Sequence, residues 1–147
     1  MSTVNATIDA SVREVWDALV DVRTYPTWLI GATEIRSIDD GWPAPGTAFH
    51  HKVGLGGPLT IADRTRCDAV EPPHVLRLDV RAWPLMHGKV TFTLRPGDDG
   101  TEVDMEEHPI GVHRVLSPVL GPLSQVRNRA SLERLEERVR ERREGRA

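Results

Sequence analysis

Residues Val75–His108 read VLRLDVRAWPLMHGKVTFTLRPGDDGTEVDMEEH, and three runs within them place apolar side chains at every second position. The runs are Val75–Ala82, Lys89–Arg95 and Thr101–His108, set apart by the clusters Pro84–Gly88 and Gly97–Gly100. Period-two alternation bounded by Gly and Pro is the pattern of half-buried strands joined by turns. In an antiparallel hairpin, paired positions have a constant sum and face the same side. Centring each turn on its Gly or Pro cluster predicts Leu78 opposite Phe92, Val80 opposite Val90, Phe92 opposite Met105 and Leu94 opposite Val103. The other parity pairs Arg95 with Glu102 and Thr91 with Glu106. One face of this sheet is dry and the other wet.

The pattern continues upstream, where Glu34–Asp39, Thr47–Val53 and Leu59–Val70 read as further strands between turns at Gly41–Gly46, Gly54–Pro58 and Glu71–His74. The same test pairs Phe49 with Thr65, Val53 with Ile61, Cys67 with Leu78 and Thr65 with Val80, while Arg66–Asp79 and Arg64–Arg81 fall on the wet side. Before the meander, Thr3–Ile8 alternates as a first strand. Ser11-Val12-Arg13-Glu14 then forms a capping box that opens a helix with Val12, Val15, Trp16 and Leu19 inward. A second short helical piece carries Tyr25, Pro26, Trp28, Leu29 and Ile30, with Gly31 placed to end it. In the final segment, Val112–Arg146, Pro118 and Pro122 predict a broken lead-in before a long helix starting near Leu123. Asn128, Leu132, Leu135 and Val139 share one face of it, and Glu136–Arg140 and Arg138–Glu141 form pairs facing solvent.

Length and charge narrow the function. A chain of 147 residues is sized for one domain spanning 1–147. Nineteen Lys and Arg against 22 Asp and Glu leave no basic field for nucleic acid. Cys67 is the single cysteine, so no internal disulfide forms, and on the dry face it reads as a small apolar residue. The absence of a charged-then-apolar leader and of any apolar run of about 18 residues leads to the expectation of a cytoplasmic protein without membrane insertion. Six histidines show no metal-ligand spacing, and His50 and His51 project to opposite faces, so neither metal nor cofactor is expected. Gly54-Leu55-Gly56-Gly57 has no helix after it, which excludes a phosphate cradle.

Several stretches resemble one family. They are Ile8-Asp9-Ala10-Ser11 with Val15-Trp16 and Leu19, then Asp21-Val22-Arg23-Thr24-Tyr25-Pro26-Thr27-Trp28, and Gly46-Thr47. Further matches are Val70-Glu71-Pro72-Pro73 with Leu76, Gly100-Thr101-Glu102-Val103, and Arg127-Asn128 with Leu132 and Leu135. Together they resemble the START-like, helix-grip SRPBCC superfamily, in its polyketide cyclase/dehydrase-type branch. The resemblance implies an α+β helix-grip fold: a curved antiparallel sheet of about seven strands wrapped around a long C-terminal helix, with two short helices after the first strand. It also implies a deep apolar cavity between sheet and helix, used in this family for hydrophobic ligands. No catalytic set is common to its members, because one fold hosts many functions.

Polar residues on the dry face must be hydrogen-bonded or border a solvated cavity. They are His51, Asp63, Thr65 and Glu107. His51 lies across from Asp63, which suits a general base oriented by a carboxylate, and equally a cross-strand hydrogen bond filling a polar gap. A bulge would substitute His50 for His51. Glu107, beside Val90 on an apolar wall, would have its charged form disfavoured by desolvation, or would sit at a strand end in solvent or bond the last helix. Asn128 offers a donor and an acceptor to the cavity, or caps a turn of the lead-in or bonds the sheet.

Trp28, Phe49, Phe92 and Met105 are candidate walls, joined by Val80, Val90, Leu132 and Leu135, with Thr65 and Asn128 orienting a ligand; plain core is the other reading of such spacings. Trp83 either joins them or belongs to an outer edge or the loop after it. The expected function is binding of a hydrophobic or aromatic small molecule by a monomer or homodimer. His51 with Asp63, and Glu107, would supply base and acid for polyketide-type cyclisation or dehydration; the alternative is a non-catalytic carrier or sensor of a lipid, quinone or secondary metabolite. A solid interior would instead favour an interaction module using the wet face.

Overall fold

Alternating residues build the sheet that organises the molecule. The computed structural model describes residues 2–29, 32–54, 58, 60–83, 86–115 and 117–145. Strand β1 (Ser2–Ile8) leads to helix α1 (Val12–Leu19), a 3-10 turn at Val22–Thr24 and the one-turn helix α2 (Tyr25–Trp28). Strands β2 (Ala32–Ile38), β3 (Ala48–Gly54), β4 (Thr60–Glu71), β5 (Val75–Ala82), β6 (Met86–Gly97) and β7 (Gly100–Pro109) follow. Helices α3 (Val112–Val115) and α4 (Ser117–Arg143) close the chain. The seven strands form one antiparallel sheet in the order β1-β7-β6-β5-β4-β3-β2, so the chain returns to seat β7 against β1. The readings that placed a helix stop at Gly31, turn residues at Leu55–Gly57 and Pro84–Leu85, and a strand start at Leu59 lie outside the described residues.

The expected capping box forms: Glu14 N donates to Ser11 Oγ and Ser11 N donates to Glu14 Oε1, each at 3.1 Å. Such a cap contributes about 1 kcal/mol. Gly100 has φ +131 between β6 and β7, and a Cβ there would lie 2.2 Å from the Ile8 carbonyl oxygen. Only glycine lets that hairpin close against the end of β1.

Register follows the alternation apart from shifts in β2–β3 and, in β4–β5, between Cys67 and Ala69, and a correction between β5 and β6. Phe49–Thr65, His51–Asp63, Thr65–Val80 and Cys67–Leu78 pair as expected, as do Phe92–Met105 and Leu94–Val103. Between β5 and β6, however, Leu76 pairs with Phe92 and Leu78 with Val90. The strands continue to an Ala82–Met86 pair, which pulls the turn closer to β5 than the Gly and Pro cluster indicates. The slip is two residues, so every side chain keeps its face. Val80 thereby meets Gly88 rather than Val90, a cross-strand neighbour that has no side chain.

The last helix also starts earlier than expected. α4 begins at Ser117 and runs through Pro122, not from near Leu123. Pro118 stands in its first turn, where the missing N–H has no intrahelical partner. The bond Pro122 omits would go to the Pro118 carbonyl, so the loss is confined to a helix end. Asn128, Ser131, Leu132, Leu135 and Val139 are buried along one side of α4, which packs on β1 and α1. Of these, Leu132, Leu135 and Val139 join Val4, Ile8, Val15, Leu19, Phe92, Leu94 and Val103 in the core.

Candidate functional site

The dry face of the sheet does not close completely on α4. A cavity of about 290 Å³ remains, bounded by α2, the start of β2, strands β3–β7 and the Arg127–Asn128 step of α4. One wall is aromatic. Phe49, Tyr25, Trp28 and Phe92 form it, and with Trp42, which lies outside the lining, they meet in succession edge to face, with ring centroids 5.0 (Trp42–Phe49), 5.3, 5.1 and 6.4 Å apart. Such contacts hold rings in fixed orientations. Their polar atoms are engaged locally: Tyr25 Oη donates to the Leu19 carbonyl at 2.7 Å and Trp28 Nε1 to Thr24 Oγ1 at 3.2 Å. Burial pushes the Tyr25 hydroxyl well above its usual range, with Cys67 and Asp21 adding to the effect. It is a fixed hydrogen-bond donor, not a source of protons.

Trp28, Phe49, Thr65, Val80, Val90, Phe92, Met105 and Asn128 all line the cavity, as do His51 and Glu107. Leu132 and Leu135 do not: both are completely buried one and two turns further along α4, inside the solid core. Trp83 is half exposed and packs edge to face on His113 of α3, with centroids 5.4 Å apart, so it belongs outside. Sequence reasoning missed Tyr25, Leu29, Ala32, Val53, Leu78, Ala82 and above all Arg127. A carboxylate on a dry face calls for a cation from the facing element, but nothing in the helix pattern singled out Arg127 as that cation.

Two polar stations interrupt the apolar wall. At the first, His51 Nε2 and Thr65 Oγ1 are hydrogen-bonded at 2.9 Å. The expected bond from His51 to Asp63 is not made, although the two residues are register partners. Asp63 Oδ1 accepts from Arg64 N at 2.9 Å, and Oδ2 accepts from Trp83 N at 3.0 Å and pairs with Arg81 Nε at 3.3 Å. These partners turn the carboxylate toward the end of β5, so Asp63 orients no base. His51, not His50, is on the concave face, because β3 and β4 pair without a bulge.

Burial lowers the His51 pKa below its ordinary 6.5; the Arg64 backbone and the Asp63 charge oppose this, while Arg36 and His50 reinforce it. The folded protein therefore binds a proton here less readily than the unfolded chain. The stability this provides is complete above pH 6.5 and declines as the pH falls toward the depressed folded value. Urea unfolding of wild type and His51→Gln between pH 7.5 and 5 checks it: the decline should be shallower in the variant, and parallel curves would contradict it.

At the second station Arg127 Nη2 donates to Glu107 Oε2 at 2.6 Å, and Asn128 Nδ2 reaches the same oxygen at 3.4 Å. Arg127 Nε donates to Asn128 Oδ1 at 3.3 Å. Glu107 is thus a carboxylate bonded to the last helix, one of the arrangements the sequence left open, through the side chains of Arg127 and Asn128. His51 is on β3 and Glu107 on β7, with β4, β5 and β6 between them. Among the described residues no group of three His, Cys, Asp or Glu side chains is placed to hold a metal ion. No helix of the described residues is long and apolar enough to cross a membrane.

A seven-stranded antiparallel sheet curved around a long helix, with an apolar chamber kept open between them, defines the helix-grip class of proteins. Within it, this chain belongs to the polyketide cyclase / dehydrase and lipid transport family, whose model matches residues 2–140. No curated protein matches the sequence. Solved structures share the fold at low identity. A protein of Chromobacterium violaceum is similar with a TM-score of 0.73 at 16% identity, over 93% of this chain and 95% of its own. A protein of unknown function from Staphylococcus aureus is similar with a TM-score of 0.76 at 7% identity, over 97% and 94%. The di-domain ARO/CYC StfQ of the steffimycin biosynthetic pathway is similar with a TM-score of 0.72 at 10% identity, over 95% of this chain and 50% of its own.

Proposed function

We propose that this protein binds one small, largely apolar molecule in the chamber between its sheet and α4, and carries or presents it without bond chemistry. The observation that carries the reading is the chamber itself: about 290 Å³, walled by fixed aromatic rings, with polar groups of the described residues gathered at two separated stations. Apolar pockets with a few placed polar groups are the usual form of small-molecule sites. An apolar cavity of about 150 Å³ takes up benzene, so this one suits a molecule of one or two rings.

Cyclisation or dehydration is the second reading. The family description and the ARO/CYC relatives favour it, as does His51, whose lowered pKa keeps the imidazole neutral near pH 7. Against it stand the engagement of Asp63 with Arg81 and Trp83, the pairing of Glu107 with Arg127, and the three strands between His51 and Glu107. General acid–base catalysis needs both groups within reach of one reacting centre.

Native mass spectrometry of the protein purified from its own host tests the proposal. The expected result is a single bound species, released on denaturation and identified as a one- or two-ring compound. Protein carrying no small molecule, and taking up none from a panel of two-ring compounds, would overturn it. Turnover of the identified compound, lost in His51→Gln, would establish the second reading instead.

A further inference from the structure

The chamber contains one charged pair among its described lining residues, and its unused bonding capacity selects a kind of ligand. Glu107 Oε2 accepts from both Arg127 and Asn128, whereas Oε1 accepts no hydrogen bond from any described residue. Arg127 directs Nη2 to Glu107 and Nε to Asn128, leaving Nη1 unengaged by the described residues. A carboxylate acceptor and a guanidinium donor therefore stand side by side on one wall of a largely apolar space whose other polar station, His51 with Thr65, carries no formal charge pair.

We propose that the ligand is an uncharged ring compound bearing a hydroxyl, phenolic or enolic, that donates to Glu107 Oε1 while Arg127 donates to an oxygen of the same molecule. This deepens the binding reading above and rests on it. The pair is neutral as a whole. An anion drawn to Arg127 would be held against Glu107, and a cation would meet the reverse arrangement. Either would also lose its hydration to apolar walls with no net charge in return. A neutral hydroxyl loses far less by desolvation than an ion does, and regains it through a charge-assisted hydrogen bond to the carboxylate. A ligand without a donor leaves a buried carboxylate oxygen unsatisfied, which is the basis for rejecting analogues that lack the group.

Calorimetric titration of the full chain at pH 7 with 2-naphthol, 2-methoxynaphthalene, naphthalene and 2-naphthoate tests this. The expected result is that 2-naphthol binds about tenfold tighter than 2-methoxynaphthalene, and tighter than 2-naphthoate. In Glu107→Gln the order of 2-naphthol and 2-naphthoate should reverse, because Arg127 then stands uncompensated. A role for the pair confined to holding the fold would not produce that reversal. Equal binding of 2-naphthol and 2-methoxynaphthalene by the wild type, or tighter binding of 2-naphthoate, would overturn the hydroxyl assignment and leave the binding reading standing. Failure of all four compounds to bind would overturn both. The wild-type comparison decides the matter even if the variant does not fold.

Discussion

Arg127→Met should destabilise the protein by about 2 kcal/mol, more than Glu107→Gln does, and a chain carrying both substitutions should recover most of the loss. The asymmetry comes from burial. The Glu107 side chain is 6% exposed and that of Arg127 34%. Removing the arginine leaves a carboxylate in an apolar wall with only the long Asn128 contact to compensate it. Removing the carboxylate leaves a guanidinium that already reaches water. Breaking a fully buried pair costs about 3–5 kcal/mol, and the partial exposure of Arg127 brings the expectation below that range. Urea denaturation of the two single variants and the double variant measures the coupling directly. Equal losses in both single variants, summing in the double, would show that the pair holds no buried charge in balance.

Val80→Trp should weaken binding of a two-ring probe about a hundredfold, close to 2.8 kcal/mol, while the protein stays folded. Val80 lines the chamber, is only half-buried, and has Gly88 as its cross-strand neighbour on one side and Thr65 on the other. An indole at this position has the cavity to enter and no core side chain to displace, so the overpacking cost that usually follows enlargement is largely avoided. Titration with 2-naphthol, together with a thermal melt of the variant, separates the two effects. Undiminished affinity in a well-folded variant would place the ligand outside the chamber. A corresponding enlargement at Leu135 is expected to unfold the protein rather than block it, because that residue is fully buried in the core.

The two variants probe features of different legibility. That Val80 faces inward follows from alternation alone, since the face a strand residue takes depends only on parity. That its neighbour is Gly88 rather than Val90 does not, because the slip between β5 and β6 was set by β6 beginning at Met86, inside the Gly and Pro cluster. The parity was unaffected, and so was the dry face. Glu107 was equally legible as a polar residue on that face, and Asn128 as one pointing toward it. Arg127 was not, because adjacent positions on a helix are turned well apart, and long side chains reach back across the face they leave. Asp63 shows the same limit from the other side. Register placed it opposite His51, but its carboxylate was claimed by Arg81 and by the backbone of Trp83, both from the next strand and its end.

The sequence by itself determined the meander from β3 to β7, the inward and outward faces of its strands, the capped first helix and the α+β class, because each rests on local periodicity or on a few neighbouring residues; the seating of β1 against β7 it left to the tertiary structure. It likewise determined which polar residues would need an explanation for being inside. Only the tertiary structure decided that Leu132 and Leu135 are solid core while Arg127 and Asn128 border a chamber, that α4 runs unbroken through Pro122, and that Glu107 is held by an arginine. Those outcomes depend on the curvature of seven strands and on the depth at which one helix settles against them. Both are set by contacts between residues about a hundred positions apart, where no local pattern reaches.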